Sequence, residues 1–407
     1  MRKALLIVCF VLLPLMTVGC VSMALPRVPA QLSAEAATPS LDTVGLAEWE
    51  AGRAGLQQTF LDEIYGTMPA PVPTRIVSHE LIDAAAFAGV ARIEQYTLDM
   101  AGYETHLALV LPANATGPVP MIVMQNFCGN SIALDGRPDI AGPVPGSHAP
   151  DCTGMMGEGL VPVIFGEYIN EPPVMQILSH GFGLAMIYAG DIVPDSAEAA
   201  PARLAELVPG QDSGAIAAWA WVYSRVVDVL DSDERFDAER TAIWGHSRNA
   251  KSAVLAAAFD PRIDLVIAHQ AGTAGTALAH SGVGEPIDVI TEDYPHWFAP
   301  AFASYGDRRE ALPVDMHELI ALIAPRPVII GGAWRDQWSD PQSSFRAAEG
   351  ATPIYRLYGS QGLTQSGLTD YDPTADLAVA MRPGLHGVHA EDWDNFLAFL
   401  DAHFATN

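Results

Sequence analysis

The chain has 407 residues, of which 50% are hydrophobic and 17% are charged, enough apolar material for a large packed core. That composition excludes a disordered chain. Its 48 acidic residues outnumber 21 basic ones, and the formal charge of −27 repels phosphate backbones, so we expect no nucleic-acid partner.

Residues 1–24 are typical of an export signal. Arg2 and Lys3 precede an uninterrupted apolar run, residues 4–18, that is too short to span a bilayer comfortably. Two processing sites compete, a bacterial lipobox ending at Cys20 and a small-residue signal peptidase site at residues 22–24, so Cys20 is either lipidated or removed. We expect a bacterial protein that is periplasmic, secreted or an outer-membrane lipoprotein, with no integral membrane span in the mature chain.

Behind the signal, residues 25–40 form a loose linker rich in alanine and proline, and a single domain is predicted over residues 41–407. Cys128 and Cys152 are the cysteines that remain once the leader is gone. An oxidising compartment permits them to form a disulfide, and two buried free thiols are an equally good interpretation.

The domain begins with a predicted helix, residues 46–65. Apolar residues then alternate over 89–100 and 104–112, across a turn, which predicts an antiparallel hairpin. Beyond it, helix-length segments such as 213–230 and 247–259 alternate with short apolar runs, namely 121–124, 183–188, 242–244, 265–269, 328–331 and 354–357. Buried parallel strands covered by helices give this pattern, so we predict an α/β fold with one doubly wound, mostly parallel sheet led by the hairpin.

A candidate nucleophile follows one of these strands. The strand breaks at Gly245, presents Ser247 and continues as an alanine-rich helix. Such a turn exposes the serine Oγ at the carboxyl end of the sheet, where the helix N-terminus offers free N–H groups to an oxyanion. A helix-capping serine needs the same geometry, and Asn249 stands in place of the second glycine of the usual G-x-S-x-G.

A triad acid is expected in the loop after the strand at 328–331. A serine hydroxyl needs a base and an acid, which follow it along the chain in α/β-hydrolases. Asp336 and Asp340 both lie in that loop. We favour Asp336, because Asp340 precedes a proline and resembles a turn or cap residue.

A candidate base lies just before the closing helix, residues 391–404. We favour His386, because His389 stands beside the helix as a cap or surface residue would. The two histidines also lie three residues apart, but no carboxylate-rich helix of the HExxH type accompanies them. We therefore predict a serine hydrolase with no metal and no cofactor.

Residues 245–251, Gly-His-Ser-Arg-Asn-Ala-Lys, resemble the Gly-Cys/His-Ser-Arg-x-Gly-Lys signature of the glucuronoyl esterases, carbohydrate esterase family 15. The likeness extends from about residue 121 to the C-terminus and is carried by further stretches: 126–130, 189–191, 295–298, 319–327 and 336–341. It implies an α/β-hydrolase fold with Ser247 as nucleophile and His386 as base. It also implies that Arg248 stabilises the oxyanion through its side chain and its backbone N–H.

Three further positions match those that contact the sugar hydroxyls and ring of the uronate in the family: Lys251, Glu285 and Trp338. Lys251 also stands out by itself, since Lys3 is the only other lysine. It lies one helical turn after Ser247 on the same face, where a flexible ammonium reaches hydroxyls; a solvated helix lysine is the alternative.

The chain departs from the family pattern at two positions near the nucleophile. Ala250 stands where the signature has glycine, which a helix start tolerates. Gln270 occupies the position of a catalytic glutamate in many members. An amide cannot be the anionic acid of a triad, so the resemblance passes that role to Asp336.

The predicted function is hydrolysis of esters of glucuronic acid or 4-O-methylglucuronic acid side chains of xylan, through an acyl-enzyme. The expected partner is glucuronoxylan or a lignin-carbohydrate ester. An acetylxylan esterase with the same triad is one alternative, which would not need the three uronate-contacting residues. An exported carbohydrate-binding protein without catalysis is the other.

Overall fold

The computed structural model describes residues 38–39, 41, 45–134, 137, 139–150, 152–153 and 159–404. The predicted export signal, residues 1–24, lies outside these ranges, and so does the predicted linker apart from residues 38 and 39. The domain boundary at residue 41 stays a prediction. Within the described ranges, no helix combines the length and the apolar character needed to cross a membrane.

One mixed sheet organises the described part of the chain, which confirms the predicted α/β fold. Its spatial order is β1-β2-β3-β5-β4-β6-β7-β8-β9. The first three strands are antiparallel, β3 pairs antiparallel with β5, and the strands from β4 to β9 are parallel. The strands are β1 (Arg75–Ala85), β2 (Ala91–Met100), β3 (Tyr103–Pro112), β4 (Val119–Gln125), β5 (Gly183–Ile187), β6 (Phe236–His246), β7 (Leu265–His269), β8 (Val328–Ala333) and β9 (Leu377–Arg382).

Helices cover both faces of this sheet. Those of six or more residues are α1 (Leu46–Phe60), α2 (Val174–Ser179), α3 (Ala200–Leu207), α4 (Ala215–Asp231), α5 (Arg248–Phe259), α6 (Ile287–Asp293), α7 (Met316–Ala321), α8 (Pro341–Leu357) and α9 (Ala390–Phe404). Shorter helical pieces are Leu61–Tyr65, Ala86–Gly89, Asn130–Ala133, Val161–Phe165, Ala189–Asp191, Ala279–Ser281, Pro300–Ala303 and Arg309–Ala311.

Two apolar clusters show why the strands carry no polar alternation. In β6, Ile243 belongs to one cluster, while Ala242 and Trp244 point to the other face and belong to the second. Helices α4, α5, α7 and α8 complete the first cluster, and α2 and α9 complete the second. Because both faces are buried, successive residues in the middle of these strands, such as 242–244 of β6, are apolar.

The structure differs from the sequence-based expectation at two strands. The predicted hairpin is present as β2 and β3, with Met100 opposite Tyr103, but β1 extends it to three antiparallel strands. The apolar run at 354–357 is wrong as a strand, because it is the last turn of α8. The helix continues through Pro353 with Phe345, Ala348 and Tyr355 on its buried side, and the last strand is β9 instead. Phe345, Ala348 and Tyr355 are spaced so that they lie on one face of the helix.

Candidate active site

The parallel strands bring the candidate residues to one edge of the sheet. Ser247 directly follows β6, Gln270 directly follows β7, and Asp336 lies in the loop after β8. His386 lies in the loop between β9 and α9. Since the carboxyl ends of parallel strands meet at the same edge, residues separated by more than a hundred positions become neighbours.

Ser247 sits at a sharp turn between β6 and α5. Its φ is 56° and its ψ is −125°, a backbone conformation that side chains with a Cβ seldom adopt. A Cβ at Gly245 would lie 2.1 Å from the carbonyl oxygen of Asn249, so only glycine permits this close turn. Arg248 begins the helix, where N–H groups of the first turn have no intrahelical acceptor. The turn thus has the geometry of a nucleophile elbow.

Asn249 explains how the turn forms without the second glycine. Its side chain is buried, and its Nδ2 donates to the carbonyl oxygen of Gln125, 3.1 Å away at the end of β4. The amide therefore ties the first turn of α5 to the neighbouring strand. A polar side chain at this position is accommodated because it has a backbone partner.

His386 is held by Asp336. Its Nδ1 lies 2.7 Å from Oδ2 of Asp336, which also accepts a hydrogen bond from the Ser339 hydroxyl. Burial alone would raise the pKa of Asp336, but the hydrogen bond and charge of His386 and the bonds from Ser339 hold that pKa below its usual value. A charged carboxylate keeps the proton on Nδ1, so Nε2 carries the lone pair that a general base needs.

The two competing candidates have other contacts. Asp340 is the N-cap of α8, where its side chain accepts from the backbone N–H of Ser343 and from the Ser281 hydroxyl. His389 lies at the start of α9 with its Nδ1 2.9 Å from Oε2 of Glu167. None of these hydrogen bonds involves His386 or Asp336.

Buried Arg382 braces the loop that carries His386. Its guanidinium donates to the carbonyl oxygens of Leu385 and Gly387, on either side of the histidine, and forms an ion pair with Asp392 at 2.7 Å. Sequence reasoning missed this role. The signal was available, because arginine at the end of a buried strand requires several acceptors.

Arg248 is fixed from two sides. Its Nε lies 2.7 Å from Oδ2 of Asp195, and its guanidinium lies 4.6 Å from the centre of the Phe127 ring. Oδ1 of Asp195 accepts from Nε2 of His296 and Nε1 of Trp297, each at 2.8 Å. Burial would raise the pKa of Asp195, but these hydrogen bonds and the charge of Arg248 lower it. Asp195 is a second residue that sequence reasoning missed.

We predict that Asp195→Asn lowers kcat by about 10-fold while leaving KM nearly unchanged, because Arg248, the predicted oxyanion donor, loses the charge that holds it in place. Steady-state kinetics on one ester substrate measure this. Asp228→Asn is the matched control, since Asp228 also pairs with an arginine, Arg262, at 2.8 Å but away from the cleft. Equal kcat values in the two variants would contradict a role for Asp195.

Ser247, Arg248 and His386 share one cleft of about 400 Å³. Two residues predicted to contact the sugar, Glu285 and Trp338, also line it, and Trp338 is 55% exposed. The remaining lining is mostly aromatic and apolar: Phe127, Cys128, Pro150, Cys152, Val161, Phe165, Ile169, Asn170, His246, Tyr294 and Trp297. A mostly apolar cleft with a small number of polar and charged groups is typical of a small-molecule site.

Lys251 lies outside this lining. It is only 2% exposed, and its Nζ donates at 2.7 Å to each of the carbonyl oxygens of Ala271 and Thr273. Burial lowers its pKa to about 8, although the nearby charges of Glu285 and Asp336 raise it. Two of its three N–H bonds therefore support the loop after β7, and its contact with a sugar stays a prediction.

A disulfide between Cys128 and Cys152 forms part of the cleft wall. It joins the loop after β4 to a segment 24 residues later in the chain. This settles the alternative between a disulfide and two free thiols. Both cysteines line the same cleft as Ser247, so the cross-link holds a wall of the candidate site.

We predict that folded protein lacking residues 1–24 contains no titratable thiol until it is reduced, because Cys128 and Cys152 are bonded. Closing a loop of this length contributes about 3 kcal/mol to the free energy of unfolding, so reduction should lower the melting temperature and raise KM as the wall loosens. Thiol titration with and without denaturant checks the first point. Two reactive thiols per chain in the absence of reductant would contradict it.

Comparison with known proteins places this chain among esterases. Residues 204–359 match the family described as "Glucuronyl esterase, fungi". Over 364 residues, the chain is 32% identical to a carbohydrate esterase from an unknown prokaryotic organism, covering 86% of this chain and 84% of that protein.

Solved structures give the same assignment over nearly the whole chain. A glucuronoyl esterase from Solibacter usitatus matches with a TM-score of 0.78 and 29% identity, covering 93% of this chain and 100% of that one. A structure described as a promiscuous CE15 esterase from a marine bacterial metagenome matches with a TM-score of 0.77 and 28% identity, covering 94% and 98%. CE15 denotes carbohydrate esterase family 15.

Proposed function

The chain belongs to carbohydrate esterase family 15, the glucuronoyl esterases, and is a carboxylic ester hydrolase; within that family, we propose that it cleaves esters of glucuronic acid or 4-O-methylglucuronic acid side chains of xylan. The observation that carries this proposal is the set of residues that line one cleft. Ser247, His386 and Arg248 line it together with Glu285 and Trp338. A nucleophile, a base and a cation thus adjoin groups suited to a sugar.

The first half of the reaction forms an acyl-enzyme. His386 Nε2 takes the proton of the Ser247 hydroxyl, and Oγ attacks the ester carbonyl carbon. The backbone N–H of Arg248 and its guanidinium stabilise the oxyanion, and Asp336 stabilises the imidazolium. When the tetrahedral intermediate collapses, His386 returns the proton to the departing alcohol, and the uronoyl group stays on Ser247.

The second half repeats these steps with water. His386 takes a proton from water, the resulting hydroxide attacks the acyl carbon, and Ser247 leaves with that proton. The product is a uronic acid, whose carboxyl group is ionised at neutral pH. The formal charge of −27 on the chain favours release of such an anion into solvent, while Arg248 provides the local positive charge where the acyl group is held.

The sugar ring is proposed to lie against Trp338. More than half of this side chain is exposed, and its ring centre lies 5.5 Å from that of His386. An apolar ring face beside the base suits the C–H face of a pyranose, and the Glu285 carboxylate suits its hydroxyl groups as an acceptor. The proposal therefore orients the uronate with its carboxyl ester toward Ser247.

A parallel hydrolysis assay tests the proposed substrate. Benzyl glucuronate and an acetylated xyloside are supplied separately at matched concentrations, and product acid is measured. A kcat/KM at least about 100-fold higher on the glucuronate supports the proposal, whereas a preference for the acetylated xyloside overturns it. Activity on neither compound would reject both esterase proposals.

We predict that Trp338→Ala lowers kcat/KM on a glucuronoyl ester by about 10-fold or more but leaves hydrolysis of 4-nitrophenyl acetate within about two-fold. The acetyl ester has no ring to stack, so it serves as the internal control for triad geometry. Equal losses on both esters would show that Trp338 supports the site structurally. Lys251→Ala is a weaker test, because it strips two buried carbonyl oxygens of their donor.

Hydrolysis of acetyl esters is a second candidate activity. One relative with a TM-score of 0.77 is described as promiscuous, and the cleft has an extensive apolar lining. The triad geometry is the same for either ester. The assay above separates a broad specificity, with comparable rates on both compounds, from a strict one.

We also propose that the protein acts outside the cytoplasm. The disulfide between Cys128 and Cys152 supports this, because such bonds persist in oxidising compartments. The apolar run behind Arg2 and Lys3 supports it independently. Fractionation of cells that produce the full chain tests the proposal, and recovery in the cytoplasm at full length would reject it.

A further inference from the structure

Gln270 links the two loops that carry the candidate nucleophile and base. It is 3% exposed, and its Oε1 lies 2.8 Å from the backbone nitrogen of Gly387 and 2.9 Å from Nε2 of His246. Gly387 directly follows His386, and His246 directly precedes Ser247. One oxygen atom thus joins the neighbours of both groups.

The chemistry of these partners fixes the direction of each hydrogen bond. A backbone N–H can only donate, so the atom of Gln270 that faces Gly387 must be the oxygen. The same oxygen accepts from His246, whose Nε2 therefore carries the proton. The amide nitrogen lies on the other side, 3.4 Å from the carbonyl oxygen of Leu385. The Gln270 amide consequently contacts the residues on both sides of His386.

The backbone of Gln270 is itself fixed. Its N–H donates to the carbonyl oxygen of Gly331 in β8, 2.9 Å away, and its φ is 54°. A left-handed conformation at a residue with a long side chain persists only where its surroundings hold it. The amide group therefore starts from a rigid point at the end of β7.

His246 completes the link and stays neutral. Its ring centre lies 4.7 Å from that of His386 and 4.9 Å from that of His269. Burial lowers the pKa of His246 well below its ordinary value, and the neighbouring histidines lower it further. A neutral ring with its proton on Nε2 is the form that donates to Gln270.

We propose that Gln270 is a positioning residue that sets the separation between Ser247 and His386 through its shared oxygen. The proposal rests on the proposed roles of Ser247 as nucleophile and His386 as base. Losing the oxygen would remove one restraint on the His386 loop, at Gly387, and one on the elbow, at His246. Small displacements of reacting groups lower the rate of the chemical step more than substrate binding.

The test compares Gln270→Leu with Gln365→Leu. Gln365 is a matched control, because it is also buried and also bonds backbone groups, those of Val379 in β9, through both ends of its amide. We expect Gln270→Leu to lower kcat about 10- to 100-fold with KM within about two-fold. Gln365→Leu should lower the melting temperature and keep kcat. Equal kcat in the two variants would overturn the proposal.

A second pair of variants guards against misfolding and against a purely structural effect. Gln270→Glu keeps an oxygen that accepts from both His246 and Gly387, so it should recover at least about ten-fold of the kcat lost in Gln270→Leu. If Gln270→Leu does not fold, Gln270→Asn replaces it in the test. Its amide is one methylene shorter, so kcat should fall about 10- to 100-fold. A Gln270→Glu variant as slow as Gln270→Leu would count against the shared acceptor.

The assay also separates this proposal from the assignment of the triad. Each variant is measured on 4-nitrophenyl acetate, alongside Ser247→Ala and His386→Ala. If those two variants are inactive and Gln270→Leu retains the kcat of Gln365→Leu, only the positioning role fails. If Ser247→Ala and His386→Ala stay active, the proposed nucleophile and base fail first.

Discussion

Ser247→Ala should lower kcat on every ester substrate by a factor on the order of 10⁴ to 10⁶, because it removes the attacking oxygen. The elbow itself should survive, since alanine removes one oxygen atom and keeps the Cβ. KM should change little, as the hydroxyl contributes to the transition state rather than to substrate binding. Steady-state kinetics and the melting temperature of the variant measure both points.

Ser252→Ala is the matched control for that variant. Ser252 lies on the same helix, α5, is buried, and its hydroxyl donates to the carbonyl oxygen of Asn249 at 2.9 Å. Removing this hydroxyl should cost stability and leave kcat within a few-fold. Substantial turnover by Ser247→Ala, with the control unaffected, would end the serine-esterase mechanism.

Asp336→Asn should lower kcat by about 10⁴-fold while the protein folds normally. The pKa of Asp336 lies below its ordinary value, so the wild-type residue is a carboxylate near neutral pH and holds the proton of His386 on Nδ1. An asparagine in the same place can turn its NH₂ group toward Nδ1, which moves the imidazole proton to Nε2. That nitrogen then has no lone pair to accept the Ser247 proton.

Asp340→Asn provides the comparison four residues later. Asparagine caps helices about as well as aspartate and tolerates the left-handed φ of 42° at this position, so both stability and kcat should stay near wild type. Kinetics of the two variants on one ester decide between the two carboxylates. If Asp340→Asn is inactive while Asp336→Asn is active, the acid has been assigned to the wrong residue.

The sheet was predictable from the sequence where its strands are buried on both faces. Runs such as 183–187 are apolar throughout, and this signal identifies central parallel strands. β1 gave no such signal, because most of its residues are exposed and Arg75, Glu80 and Asp83 interrupt its apolar residues with charges. The run at 354–357 was misleading. A run of only four residues is too short for its periodicity to distinguish a strand from the last turn of a buried helix.

The candidate site also contains residues that the sequence identified and contacts that only the structure shows. Ser247 and His386 are marked by local features, a turn between strand and helix and a loop before the last helix, and the structure places both in one cleft. Their catalytic roles stay predictions. The roles predicted for Asp195 and proposed for Gln270 rest on contacts with Arg248, His246 and Gly387. No pattern within a short stretch of sequence reveals a contact between residues so far apart.

The backbone of Ser247 has a consequence for selection and engineering. Holding a residue with a Cβ at φ 56° costs about 1 to 3 kcal/mol, against a net folding free energy of about 5 to 15 kcal/mol for a typical domain. Glycine adopts this conformation without that cost. A screen for heat resistance alone would therefore reward glycine at position 247 and enrich inactive protein, so directed evolution of this esterase has to score turnover in every round.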